Sequence, residues 1–134
     1  MKIDKLDHIG IAVKDIDSAG KRYAQVLGIN IEKMETLPDL GVKIAFMRVG
    51  DVLIELIQPL HEDTPLYKHI LEKGEGVYHL AFDVDDIYQA LEEMKNARVP
   101  LRDKTPRAGG RGSLIAMTKP EAFNDVMIEL VQRS

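Results

Sequence analysis

Val126–Gln132 reads VMIELVQ, and Val52–Gln58 reads VLIELIQ. The two heptads share one pattern and one central glutamate, so Glu55 and Glu129 hold the same position in two copies of one unit. A second echo lies upstream of each. His8-Ile-Gly-Ile-Ala-Val-Lys-Asp-Ile16 matches His79-Leu-Ala-Phe-Asp-Val-Asp-Asp-Ile87, each a histidine opening an apolar run that closes on Asp-Ile. One histidine and one glutamate per half, in the same order, make His8, Glu55, His79 and Glu129 four candidate metal ligands.

Between these echoes the order of elements repeats as well. Leu6–Val13 alternates as a strand, with His8, Gly10 and Ala12 on one face and Ile9, Ile11 and Val13 on the other. Small residues beside His8 leave room for something that is not side chain. Asp15 is placed to cap a helix over Ile16–Leu27, with Gly28 just past its end. Ile29–Glu35 reads as a second strand and Thr36–Gly41 as a loop. Val42–Val49 and Val52–Gln58 read as a hairpin turning at Gly50-Asp51.

The connector, 61–76, contains Thr64-Pro65, an N-cap followed by proline at the first helical position, and a helix that Gly74 ends. The second module then repeats the first. Tyr78–Val84 is a strand, Asp85 or Asp86 caps a helix to about Asn96, and Val99-Pro-Leu101 starts the next strand. Ser113–Met117 is a strand, and Lys119–Asn124 is a turn into the closing heptad. The expected fold is α+β: tandem βαβββ modules, about 5–60 and 77–132, in one domain over 1–134, forming a curved mixed sheet around a metal-containing cavity.

The strand geometry supports the ligand reading. Leu53, Glu55 and Ile57 share a face opposite Val52, Ile54 and Leu56. An ionised carboxylate in the middle of an apolar strand costs several kcal/mol unless it is paired or metal-bound. Two such glutamates at equivalent sites call for a common explanation.

Composition bounds the rest. The chain has 134 residues, 45% of them hydrophobic and 30% charged, and a net charge of −4. This is the profile of a globular domain with no nucleic-acid surface and no membrane span, expected in the cytoplasm. No cysteine is present, so any metal is held by nitrogen and oxygen. His61 and His69 lie in the connector and read as solvated. Tyr23 reads as helix packing. The loop Arg107–Gly112 is equally consistent with a mobile hairpin and with a backbone N–H cradle for phosphate.

On the tandem βαβββ unit with His…Glu…His…Glu, the chain resembles the vicinal-oxygen-chelate (glyoxalase/bleomycin-resistance) superfamily, which includes glyoxalase I and the methylmalonyl-CoA epimerases. Four stretches are similar to the epimerase branch: DHIGIAV from Asp7, QPLHEDTPLYKHILEKGEG from Gln58, GVYHLAFDVDDI from Gly76, and VMIELVQ. The resemblance implies a glyoxalase-like fold and metal-dependent R/S interconversion of methylmalonyl-CoA at C2 through an enolate. It also implies an acyl-CoA substrate and a divalent metal on His8, Glu55, His79 and Glu129. Cobalt leads, with Ni²⁺, Mn²⁺ or Zn²⁺ as alternatives suited to an imidazole-containing set. Open βαβββ sheets that form half-barrels leave apolar edges, so a homodimer is expected. Glu129 is the candidate base and Glu55 its partner. The position of a further base proposed in some epimerases is Ile44 here. Lys119-Pro120-Glu121 and Asp125 also depart from the family pattern. Two alternatives remain at this stage: glyoxalase-type lactoylglutathione lyase chemistry, and a non-catalytic binding protein of the same fold.

Overall fold

The computed structural model describes residues 1–133 and resolves into two compact units. One comprises Ile9–Val77; the other comprises Met1–His8 with the chain from Tyr78 onward. The elements in chain order are β1 (Leu6–Ala12), α1 (Ile16–Arg22), β2 (Lys33–Leu37), β3 (Val42–Val49), β4 (Val52–Pro59), α2 (Pro65–Lys73), β5 (Gly76–Asp83), α3 (Ile87–Asn96), β6 (Arg107–Ala108), β7 (Leu114–Met117) and β8 (Met127–Gln132). The mixed α+β architecture is therefore a repeated one.

In the Ile9–Val77 unit the strand order is β2-β3-β4-β1. β3 and β4 form an antiparallel hairpin that pairs Phe46 with Glu55. Asp15 caps α1 by accepting from the Ser18 N–H at 3.2 Å, and the Gln58 side chain accepts from the Ile16 N–H at 2.8 Å. Val13, Ile16, Ala45, Met47 and Leu56 form the core, with Tyr23, Ile29, Ile31 and Ile54 packed onto it. Leu56 and Ile54 thus face α1, and alternation turns Glu55 to the opposite face.

Two expectations shift here. The α-helix stops at Arg22, and Tyr23–Leu27 winds as a π turn that closes on left-handed Gly28 (φ +69°). The Ile29 N–H reaches back to the Tyr23 carbonyl at 3.2 Å. The second strand begins at Lys33, later than sequence alternation suggests, and Ile29 and Ile31 before it pack on the core. Ile31 lies so close to α1 that a Cβ on Gly20 would sit 2.6 Å from its Cδ1. The Gly50-Asp51 turn and the α2 helix behind Thr64-Pro65 fall where expected.

The other unit has the order β5-β8-β7-β6. β5 and β8 run parallel, pairing His79 with Met127 and Ala81 with Glu129, and β7 runs antiparallel to β8, pairing Met117 with Glu129. Helix α3 is amphipathic: Ile87, Ala90, Leu91 and Met94 point inward against Leu101, Ala116 and Leu130. Burying each large aliphatic chain of this set is worth ~1.5–3 kcal/mol gross. The Asp86 carboxylate accepts from the Tyr88 and Gln89 N–H groups, and Gln132 accepts from the Ile87 N–H at 2.8 Å.

The strand expected from Val99 does not form. Pro100 has no N–H to give to a ladder, and pairing there is limited to one bridge, Leu101 to Thr118. The glycine-rich segment is a two-residue strand followed by a 3₁₀ turn over Gly110–Gly112. Among the described residues no helix is long and apolar enough to cross a membrane.

Candidate metal centre

His8, His79 and Glu129 meet on the face of β5 and β8 opposite α3. All three are buried, at 4%, 3% and 3% exposure. Each offers one ligand atom, and these atoms lie within 4.8 Å of one another. The His8 Nε2 atom is 3.0 Å from His79 Nε2 and 3.0 Å from Glu129 Oε1, and His79 Nε2 is 3.8 Å from Glu129 Oε2.

The protonation pattern explains what such a cluster needs. His8 Nδ1 lies 2.7 Å from Asp7 Oδ2. An Nδ1–H donating to that carboxylate leaves a lone pair on His8 Nε2. That lone pair looks at a second imidazole nitrogen and at a carboxylate oxygen. A proton on His79 Nε2 or a cation among the three satisfies this arrangement, and two imidazole nitrogens beside a carboxylate oxygen are ligands a transition metal takes. The donor set therefore fits a divalent ion, with Asp7 supplying the orienting contact that metal-bound histidines generally have.

Asp7 is itself clamped. Arg133 donates from Nη2 to Oδ2 at 2.7 Å and from Nε to Oδ1 at 3.2 Å, and from Nη1 to the Gly110 carbonyl at 3.2 Å. Burial works to raise the Asp7 carboxyl. The hydrogen bonds and charges of His8 and Arg133 outweigh it and hold Asp7 far below the ordinary carboxylate range. Burial pushes the His79 imidazole down to about 4, with the charges of His8 and Arg102 adding to it against the pull of Glu129. Burial raises the Glu129 carboxyl, but His79 and His8 bring it below its usual value. A neutral His79 and an ionised Glu129 are the forms that bind metal. His79 Nδ1 is buried without a hydrogen-bond partner among the described residues.

Three of the four sequence-predicted ligands thus converge within one unit. Glu55 belongs to the other, where it is 5% exposed in the middle of β4 on the face away from α1. Ile44 is an apolar core residue of β3. Sequence reasoning missed Asp7 and Arg133. An aspartate immediately before the histidine of an otherwise apolar strand was the available signal for the first; nothing local marks the second.

The family profile described as the Glyoxalase/Bleomycin resistance protein/Dioxygenase superfamily matches residues 7–117. The Bacillus subtilis protein YqjC is 38% identical over 130 residues, covering 97% of this chain and 93% of that one. An ethylmalonyl-CoA/methylmalonyl-CoA epimerase of Cereibacter sphaeroides is 34% identical over 134 residues, covering 97% and 98%. Among solved structures, a variant of Streptomyces coelicolor methylmalonyl-CoA epimerase in complex with 2-nitronate-propionyl-CoA superposes with a TM-score of 0.94 at 29% identity, covering 99% of this chain and 96% of that one.

Proposed function

The chain belongs to the glyoxalase/bleomycin resistance protein/dioxygenase superfamily, and on that premise we propose that it is an isomerase, a metal-dependent methylmalonyl-CoA epimerase. The observation that carries this reading is the buried His8–His79–Glu129 cluster with its Asp7–Arg133 support. The relationship to an ethylmalonyl-CoA/methylmalonyl-CoA epimerase over nearly the whole chain supplies the substrate class.

The proposed ligands are His8, His79, Glu129 and Glu55, two nitrogens and two oxygens. Such a set suits Co²⁺, Ni²⁺, Mn²⁺ or Zn²⁺ more than Mg²⁺ or Ca²⁺, and Co²⁺ is the ion we propose from the family resemblance. When held by these residues, a divalent ion would supply Lewis-acid stabilisation of the negative charge that develops on the substrate. Glu129, ionised beside the two imidazoles, takes the proton from C2. The C–H electron pair moves into the thioester carbonyl as an enolate, and a proton returned from the opposite face inverts the centre. With Ile44 unable to exchange protons, Glu55 is the second acid–base group in this reading.

We further propose a cytoplasmic homodimer with an isologous interface; sedimentation showing monomer alone at micromolar concentration counts against it. The test of the activity is incorporation of solvent deuterium at C2 of methylmalonyl-CoA by metal-reconstituted protein. Exchange that needs the metal is the expected result. Metal-loaded protein that leaves C2–H unexchanged overturns the proposal.

A further inference from the structure

Arg102 follows the bridge at Leu101, and its backbone N–H donates to the Met117 carbonyl at 2.9 Å. Met117 is the register partner of Glu129, and Met127 is the register partner of His79. Residues paired across a ladder share a face. Both methionines therefore lie on the sheet face that bears the candidate metal ligands. The Arg102 guanidinium rests against them, with Nη1 3.7 Å from Met117 Sδ and 3.9 Å from Met127 Sδ. The same Nη1 donates to the Tyr78 hydroxyl at 3.0 Å. The Tyr78 ring stands edge-on to the His79 ring, 5.7 Å between centroids.

This is a half-buried guanidinium with poor company. It has five N–H donors, yet its side-chain partners are one phenol oxygen and two thioether sulfurs, which are weak acceptors. No carboxylate among the described residues pairs with it. Arg107 and Arg133 differ: Arg107 has Asp103 at 3.4 Å, and Arg133 has Asp7 at 2.7 Å. Withdrawing a cation from water beside apolar side chains is unfavourable without a counter-charge. A fixed, planar, unneutralised fork next to a metal-type cluster is built for an anion that arrives with the substrate.

We propose that Arg102 binds the free carboxylate of a malonyl-type acyl group, and so selects thioesters of dicarboxylic acids over thioesters of simple monocarboxylic acids. The proposal rests on the acyl-CoA epimerase reading and adds to it the residue that recognises the acyl head. A carboxylate has two oxygens, so one face of it remains for the metal site while the other meets Arg102. Holding the carboxylate also restricts rotation about its bond to C2, which keeps the C2–H bond oriented toward the acid–base groups.

The test uses two probes on the metal-loaded protein, malonyl-CoA and propionyl-CoA, which differ by the carboxylate. Binding is measured by titration calorimetry for the unaltered protein, Arg102→Leu and Arg102→Lys, with bound metal quantified in each. The expected result is a loss of roughly 10–100-fold in malonyl-CoA affinity for Arg102→Leu, the size of one charge-assisted contact. Propionyl-CoA binding and metal content stay unchanged, and Arg102→Lys falls between. If Arg102→Leu does not fold, Arg102→Lys alone decides: selective weakening of malonyl-CoA supports the site. Equal weakening of both thioesters, or no weakening of malonyl-CoA, overturns it. The deuterium experiment keeps the two readings apart. A protein that discriminates the thioesters through Arg102 but exchanges no C2 proton sinks the epimerase reading and leaves this site standing. A protein that epimerises, with malonyl-CoA binding unaltered by Arg102→Leu, does the reverse.

Discussion

Replacing Asp7 by asparagine changes almost no volume and removes one oxygen acceptor from the support of the metal centre. In the native site Oδ2 accepts from His8 Nδ1 and Arg133 Nη2, both at 2.7 Å, while Oδ1 accepts from Arg133 Nε at 3.2 Å. An amide has one oxygen to offer. At the Oδ2 position it still accepts from His8 Nδ1 and Arg133 Nη2, so the amide N–H₂ faces Arg133 Nε and the fork loses its second contact. The neutral amide is also a weaker acceptor for the His8 Nδ1 proton than the carboxylate. His8 Nε2 becomes a poorer and less firmly oriented donor to a metal. Loss of an orienting contact of this kind costs 10–100-fold in metal affinity, or about 1.4–2.8 kcal/mol. The assay is competition of metal-free protein against a chromophoric chelator for Co²⁺, with circular dichroism to check the fold and ¹⁵N chemical shifts to read the His8 tautomer. Parental affinity in Asp7→Asn refutes the role of Asp7. A lowered affinity with the proton moved to Nε2 refutes this orientation of the amide while leaving the role of Asp7 in place.

Three further outcomes are expected. Glu129→Gln keeps an oxygen donor of nearly the same shape, so it retains much of its metal but loses roughly 10²–10⁴-fold in turnover; near-native turnover at equal metal content shows the base to be another residue. In metal-free protein His79 stays neutral down to about 4, against ~6.5 in the unfolded chain. Between those values the unfolded state takes up the proton and the folded state does not, so stability falls as pH drops from about 6.5 toward 4, by on the order of 3 kcal/mol. The depressed Glu129 carboxyl acts in the same direction, its contribution being lost as pH falls through its folded value. Urea midpoints across this range and His79 ring shifts check it; a His79 titrating near 6.5 does not fit. Finally, Gln132→Ala and Gln58→Ala each strand a helix-initiating N–H and lower stability by ~1–3 kcal/mol, measured by chemical denaturation. A neutral effect of both means water replaces the amide without loss.

What the sequence revealed was what repeats. Glu55 and Glu129, His8 and His79, and the helices behind Asp15 and Asp86 are each visible because two copies corroborate one another. The α3 boundaries follow from a cap and a 3.6-residue pattern, both local signals. Features present in one copy were hidden. Asp7 and Arg133 meet across nearly the whole chain, a distance over which periodicity carries no information. Arg102 sits in a segment whose apolar spelling resembles a strand, and only Pro100 hints that the ladder fails there. The π turn at Tyr23–Leu27 depends on which carbonyl each N–H selects, a choice that side-chain pattern does not encode. The candidate cluster was therefore legible in His8, His79 and Glu129 and illegible in what orients them.

The two glutamines that close the heptads, Gln58 and Gln132, tie the end of a strand to the first turn of its own helix at the same 2.8 Å in each copy. One consequence concerns how these units breathe. The Ile16 and Ile87 amides are protected by a strand residue and not by their helices, so they exchange with solvent when the end of β4 or β8 peels away, even while α1 or α3 stays wound. Each glutamate lies three residues before its glutamine, near enough that such peeling loosens its carboxylate. Deuterium uptake at two isoleucine amides thus becomes a clock for strand-end opening beside Glu55 and Glu129, read separately for each half of the repeat and needing neither metal nor substrate.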